Sequence, residues 1–223
     1  MNPVTNPKGR LYLVPAPLDF GCATQAPLSD VLPQHTLATA AQLKHWVCEN
    51  AKTARAYLKR IQEFAPLACT VQDMAIQELP REVHKKGDHG GGFDASPLLA
   101  PALAGHDIGL LSEAGMPAVA DPGSSVVRAA HDLGVQVIPL VGPVSLLLAL
   151  ASSGLSGQNF AFVGYLPQDA TARVALVPAH RPEHPTPVQA PRSSSLNLVT
   201  YLPAPLVCLL QTERSSRPHP PYD

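Results

Sequence analysis

Two carboxylates and two pairs of glycine and proline fall within twelve residues, S-E-A-G-M-P-A-V-A-D-P-G at 112–123. Glu113 and Asp121 supply acceptors. Gly115 and Gly123 let the backbone turn at positive φ or come close to a ligand, while Pro117 and Pro122 fix the shape of the loop and reduce the entropy lost on binding. An aliphatic run stops at this loop and helical periodicity resumes at Val126, so the stretch joins a strand to a helix. In an open parallel sheet, ligands sit at the carboxyl ends of strands. A plain structural connection would use similar residues, since Asp121 followed by Pro122 can also cap a helix. Two further strand ends open into Gly/Pro loops, V-G-P-V-S at 141–145 and V-P-A-P-L-D-F-G at 14–21. None of the three carries a phosphate-cradling G-x-G-x-x-G or G-K-[ST] pattern. The residues therefore point to an uncharged or zwitterionic small molecule rather than a di- or triphosphate.

The elements that must hold these loops are legible as alternating periodicities. R-L-Y-L-V at 10–14 is a short run of strand formers ended by P-A-P, which cannot continue a ladder. Residues 36–43 carry Ala and Leu at helical spacing, and H-W-V-C-E at 45–49 reads as a second strand. The segment 50–64 then places Ala54, Tyr57, Leu58 and Ile61 on one helical face. C-T-V-Q-D-M-A-I-Q-E-L at 69–79 reads as a third strand, and the polar, Gly-rich stretch 80–97 predicts a loop. Helix resumes at 97–104, and D-I-G-L-L-S at 107–112 is a fourth strand. Residues 124–134 form a helix stopped by Gly134, 135–140 a fifth strand, and 143–154 a helix with Pro143 near its first turn. Short strands alternating with amphipathic helices predict an α/β fold, a parallel five-stranded sheet with helices on both faces.

Composition narrows the class further. The chain has 223 residues, is 45% hydrophobic and carries a net charge of −1, which allows a sizeable core and gives no global footprint for nucleic acid. The longest apolar runs, such as V-S-L-L-L-A-L-A, fall short of the roughly 20 residues that span a bilayer. With no charged-then-apolar layout at the N-terminus, a cytoplasmic location is expected. Cys22, Cys48, Cys69 and Cys208 are widely spaced without a C-x-x-C pair, so buried free thiols are expected rather than a zinc site or disulfides. His84, His89 and His106 match no ligand spacing, and no metal is expected. Lys85 and Lys86 offer two charges for RNA phosphate inside a segment that reads equally as a linker.

Four stretches together, G-R-L-Y-L-V-P-A-P-L, C-E-N-A-K-T-A-R-A-Y-L, residues 110–155 and F-A-F-V-G-Y-L-P, are similar to the tetrapyrrole-methylase-fold S-adenosylmethionine-dependent methyltransferases. They resemble most closely the branch of ribosomal RNA small subunit methyltransferase I. The resemblance covers roughly 9–167. That branch carries S-D-A-G-T-P-x-x-S-D-P-G after its fourth strand; this chain matches at Ser112, Ala114, Gly115, Pro117, Asp121, Pro122 and Gly123, with Glu113 for Asp, Met116 for Thr and Ala120 for Ser. The resemblance implies S-adenosylmethionine as cofactor. It also implies 2′-O-methylation of a cytidine ribose in small-subunit ribosomal RNA, with the rRNA or the small ribosomal subunit as partner and a homodimer as assembly. Cofactor-binding residues carried over are Pro17, Glu113, Gly115, Met116, Pro117, Asp121, Gly142 and Pro143. C-E-N-A-K-T-A stands where the branch has A-E-D-T-R, so Glu49 keeps the acid, Asn50 replaces Asp and Lys52 replaces Arg. Glu49 and Lys52 become the candidates for catalysis or substrate positioning, against the plainer reading of helix-capping surface residues.

After G-Y-L-P the composition changes. Residues 168–223 hold 10 of the 25 prolines and no lysine, a density that opposes helices and central strands. The expected organisation is an S-adenosylmethionine-binding α/β domain over 1–166 and a Pro-rich, poorly ordered tail over 167–223, in place of the second α/β domain that the resemblance implies. The abrupt shift suggests a change of reading frame soon after Arg173. Two alternatives follow: a tetrapyrrole or other small-molecule methyltransferase of the same fold, and an inactive remnant that only binds cofactor.

Overall fold

The apolar runs are the strands, and their pairing explains why each is short. The computed structural model describes residues 7–19, 22, 24–80, 82–83, 92–154, 157–158, 160, 162 and 169–172. Strands β1 (Arg10–Val14), β2 (His45–Cys48), β3 (Ala75–Glu78), β4 (Ile108–Leu111) and β5 (Gln136–Pro139) form one sheet in the order β3-β2-β4-β1-β5. Every neighbouring pair is parallel. The central strand β4 is buried at all four positions, as expected of a strand covered on both faces.

Alternation along the strands sorts the core into two layers. Tyr12, Val14, Trp46, Cys48 and Leu111 point to one face, where they meet α1 (Gln34–Ala41) and α2 (Ala51–Gln62). Leu11, Val47, Ile108 and Leu110 point to the other, against α3 (Ala100–Leu103) and α4 (Ser124–Asp132). The face of α2 read from the sequence is the buried one: Ala54, Tyr57, Leu58 and Ile61 are each at most 7% exposed. Burying a side chain such as Leu58 or Ile61 contributes about 1.5–3 kcal/mol. Within the first layer, the Trp46 ring lies 2.5 Å from where a Cβ on the neighbouring Gly109 would stand, so only glycine lets β4 pass beside the indole.

Several boundaries differ from expectation for local reasons. The third strand is confined to Ala75–Glu78, because residues 71–73 form a turn closed by the Thr70 hydroxyl on Asp73 at 2.7 Å. The helix at 97–104 starts as a 3-10 turn, Ser96–Leu99, and only its last four residues are α-helical. Gly134, at φ +63°, stops α4 as expected. Asp121 does not take the N-cap position of α4; Gly123 does, at φ +125°.

The described residues up to Pro143 form one compact unit and the described residues from Val144 onward belong to a second. The described helix of the second unit is α5 (Ser145–Ser152), whose N-cap is Val144. Pro143 therefore lies one residue before the cap, not in the first turn. In α5, Leu147 and Leu148 are exposed whereas Ala149 and Leu150 are buried. The Gly-rich stretch at 84–91, with Lys85 and Lys86, and the tail from 173 lie outside the described residues.

Candidate functional site

The loops after β1, β2 and β4 converge on one cleft of about 180 Å3. These strands stand side by side, and the chain leaves β1 toward β2 but leaves β4 toward β5, on the other side of β1. The cleft thus lies where the direction of winding reverses, the usual ligand position in an open α/β sheet.

Its wall is assembled from the first turn of α2. Asn50 is the N-cap: its Oδ1 accepts the amides of Lys52 at 2.8 Å and Thr53 at 3.3 Å. The Ala51 amide donates at 2.6 Å to Glu78, at the end of β3. With the turn fixed, the Thr53 hydroxyl reaches both the Asn50 carbonyl at 2.9 Å and Glu113 Oε1 at 3.2 Å. Glu113 in turn donates its backbone N–H to Glu49 Oε1 at 3.2 Å. Glu49 and Glu113, from adjacent strand ends, therefore line one cleft, the Glu49 carboxylate tied to the Glu113 amide and the Glu113 carboxylate to α2.

The opposite side is held by β1. Tyr57 Oη donates at 2.7 Å to the Pro15 carbonyl, and burial pushes the pKa of its phenol up. Ala16 and Gly115 exchange backbone hydrogen bonds at 2.8 and 3.0 Å, joining the β1 loop to the β4 loop. Gly115 sits at φ +71°. Arg60 pairs with Asp19 at 3.0 Å and donates to the Ala26 carbonyl at 2.8 Å, which closes the floor. Since Asp19 and Arg60 neutralise one another, Glu49 and Glu113 leave the lining with negative charge. Cys48 also lines the cleft; burial first, and the charge of Glu78 next, push its thiol up to about 12. It is a neutral packing group, not a nucleophile.

Of the candidate residues, Pro17, Glu49 and Glu113 line the cleft. Lys52 is exposed on the first turn of α2 and is not part of the lining. Gly115 is buried, and neither it nor Met116, Pro117 and Asp121, farther along the β4 loop, is part of the lining. That loop is conformationally loaded, because Ala118 and Ala120 adopt left-handed φ of +64° and +62°, which alanine disfavours. In the β5 loop, a Cβ on Gly142 would stand 2.3 Å from Pro15, so its backbone packs directly on the β1 loop. The Thr36 hydroxyl holds the same loop through the Val141 carbonyl at 2.8 Å. The Pro143 carbonyl lies 3.7 Å from where a Gly115 Cβ would be.

Sequence reasoning had not singled out Thr53, Tyr57 or the Asp19–Arg60 pair as parts of the site. Asn50 with Thr53 three residues later is a helix-start pattern, so that part had a local signal. Asp19 and Arg60 lie 41 residues apart and had none.

No protein-family model matches the chain. Comparison with curated proteins finds ribosomal RNA small subunit methyltransferase I repeatedly. The Escherichia coli O157:H7 protein of that name is 30% identical over 169 residues, 75% of this chain and 50% of the relative. The one from Halalkalibacterium halodurans is 31% identical over 181 residues, 80% of this chain and 54% of the relative. That from Xylella fastidiosa is 42% identical over 79 residues, 35% of this chain and 29% of the relative.

The chain belongs to the ribosomal RNA small subunit methyltransferase I family.

It spans about half the length of the curated relatives it matches. Membership agrees with the parallel α/β fold expected from the sequence. Among the described residues, no helix is long and apolar enough to cross a membrane, and no cluster of three metal-ligating side chains occurs.

Proposed function

We propose that this member of the ribosomal RNA small subunit methyltransferase I family binds S-adenosylmethionine in the cleft at the ends of β1, β2 and β4. Its substrate is then the 2′-hydroxyl of a cytidine ribose in small-subunit ribosomal RNA. The observation that carries the reading is the meeting of Glu49 and Glu113, 3.2 Å apart through the Glu113 amide, in a cleft walled by Ala16, Pro17 and Leu111.

The residues fit such a cofactor on their chemistry. Acidic groups above apolar walls suit a cationic ligand with an apolar body, and no phosphate cradle competes. The left-handed turn at Gly115 keeps the β4 loop free of a side chain where it meets β1. The 180 Å3 enclosed here is below the 300–1,000 Å3 typical of pockets that bury a drug-sized ligand, so these walls hold part of the cofactor. Pro17, Glu113, Gly115, Met116, Pro117, Asp121, Gly142 and Pro143 are the proposed contacts. When bound, S-adenosylmethionine would supply the methyl group, its sulfonium–methyl bond breaking as the oxygen–methyl bond forms and the neutral thioether S-adenosylhomocysteine leaving.

The chain's own residues then have two tasks. They hold the ribose hydroxyl in line, which lowers the barrier through proximity, and they keep water out. The Glu49 carboxylate accepts the hydroxyl proton as the oxygen attacks, general-base work that contributes about 10²–10⁴-fold. Glu113 fixes Glu49 through its amide, while Thr53 fixes the Glu113 carboxylate.

Transfer of labelled methyl from S-adenosylmethionine to undermodified small ribosomal subunits tests the reading. The wild-type chain is expected to label the RNA, and Glu49→Gln to reduce kcat about a hundredfold with KM for the cofactor little changed. Labelling of a tetrapyrrole but not of RNA, or cofactor binding without transfer, would replace the proposed substrate or reduce the chain to a binding module.

A further inference from the structure

Four of the twelve residues of α2 are Lys or Arg and none is acidic. Arg60 is engaged with Asp19. The other three, Lys52, Arg55 and Lys59, are exposed and make no ion pair within the described residues. At 3.6 residues per turn they fall within an arc of roughly 60°, a stripe about 10 Å long. The cleft-lining residues Thr53, Ala56, Tyr57 and Arg60 occupy the adjoining face of the same helix. The stripe is therefore continuous with the edge of the cleft.

Helix stability does not account for it. The macrodipole favours cations in the last turn, which suits Lys59, but disfavours Lys52, the second residue after the Asn50 cap. Nor do the three cations support one another: Lys52 and Arg55 are like charges at i,i+3, and Arg55 and Lys59 at i,i+4, both unfavourable. The nearest acid on the helix's own C-terminal end, Glu63, is exposed and makes no ion pair among the described residues. Three like charges kept together against their mutual repulsion, on a chain of net charge −1, imply an anionic partner.

We infer that Lys52, Arg55 and Lys59 form a phosphate track that lays the RNA backbone along α2 and leads the target ribose into the cleft. A stripe of about 10 Å is long enough to meet two or three successive phosphates of a single strand, each of which a Lys or Arg neutralises. This assignment rests on the reading of the cleft as an RNA methyltransferase site. Lys52 thereby contacts the strand beside the reacting nucleotide, not the reacting atoms.

The test uses the full chain with a fluorescein-labelled single-stranded RNA oligonucleotide, anisotropy titrations between 50 and 200 mM salt, and calorimetry with S-adenosylmethionine. A Lys52→Gln/Arg55→Gln/Lys59→Gln variant is expected to bind the RNA about tenfold more weakly at low salt, with the log-log salt slope reduced by about 2. Its cofactor affinity should match wild type, and Lys8→Gln/Lys44→Gln/Arg128→Gln, which removes equal charge elsewhere, should bind RNA as wild type does. Equal losses in both variants, an unchanged salt slope, failure of the wild-type chain to bind the RNA, or equally tight, stripe-dependent binding of a polyglutamate peptide would each overturn the track. Absent cofactor binding in wild type alongside stripe-dependent RNA binding would instead count against the cleft reading alone.

Discussion

Each group that lines the cleft is set by its immediate neighbours. Glu113 reaches the cleft because Thr53 holds its carboxylate and Ser112, whose hydroxyl contacts the Ala114 and Gly115 carbonyls at 3.2 and 3.3 Å, turns the chain behind it. Cys48 shows how burial decides chemistry at this scale. A thiol pushed up to about 12 by desolvation holds almost no thiolate near neutrality. Native chain treated with iodoacetamide at pH 8 should therefore be alkylated at exposed Cys22 and spared at Cys48, with both modified after denaturation. Peptide mass spectrometry reads the difference, and rapid native alkylation of Cys48 would contradict the described burial.

At the scale of elements, α2 does most of the positioning. One face seals the core through Leu58 and Ile61, the next lines the cleft, and the third carries the cations. Its register along that surface depends on the cap. Asn50→Ala removes the acceptor for the Lys52 and Thr53 amides and should cost about 1 kcal/mol in chemical denaturation. Because the same turn carries Thr53, cofactor affinity should fall along with stability, whereas Asn50→Asp should retain both. The sheet contributes in a different way. Replacing Gly109 by Ala forces the strand or the Trp46 ring to move, and overpacking of this kind costs about 1–3 kcal/mol, measurable as a lowered denaturation midpoint.

Across the whole molecule, the two ends of the sheet carry different electrostatics. The carboxyl end holds the acidic cleft. At the amino end, Arg10 grips Asp107 at 2.7 Å, and the His45 and His106 rings lie 5.0 Å apart. Burial, then the charges of His106 and Lys44, lower the pKa of His45 from its ordinary 6.5. The unfolded chain then binds the extra proton more readily, so the contribution of His45 is present above pH 6.5 and is lost as pH falls through its folded value. Asp107 acts in the same direction lower down. Burial alone would raise its pKa, but the side-chain and backbone hydrogen bonds and the charge of Arg10 together outweigh that and lower it, so its contribution fades only below about pH 3.8. Denaturation midpoints should thus drop as pH falls below 6.5, and His45→Gln should flatten that drop; an unchanged slope in the variant would refute the assignment.

Periodicity and turn chemistry determined the strands read at 10–14, 45–49 and 107–112, which the structure trims by a residue at some ends, the buried face of α2 and the stop at Gly134, because each depends on neighbours within a few residues. The quoted motifs also pointed to the family, and of the residues they singled out Pro17, Glu49 and Glu113 line the cleft. Only the tertiary structure decided the strand order β3-β2-β4-β1-β5, which brings the loops after β1, β2 and β4 to one place. It also decided the Asp19–Arg60 pair, the clasp of Thr53 on Glu113, and the separation of Lys52 from the cleft lining onto a basic stripe. These contacts join residues tens of positions apart, and parallel pairing through crossover helices leaves no local trace of which strand ends will meet.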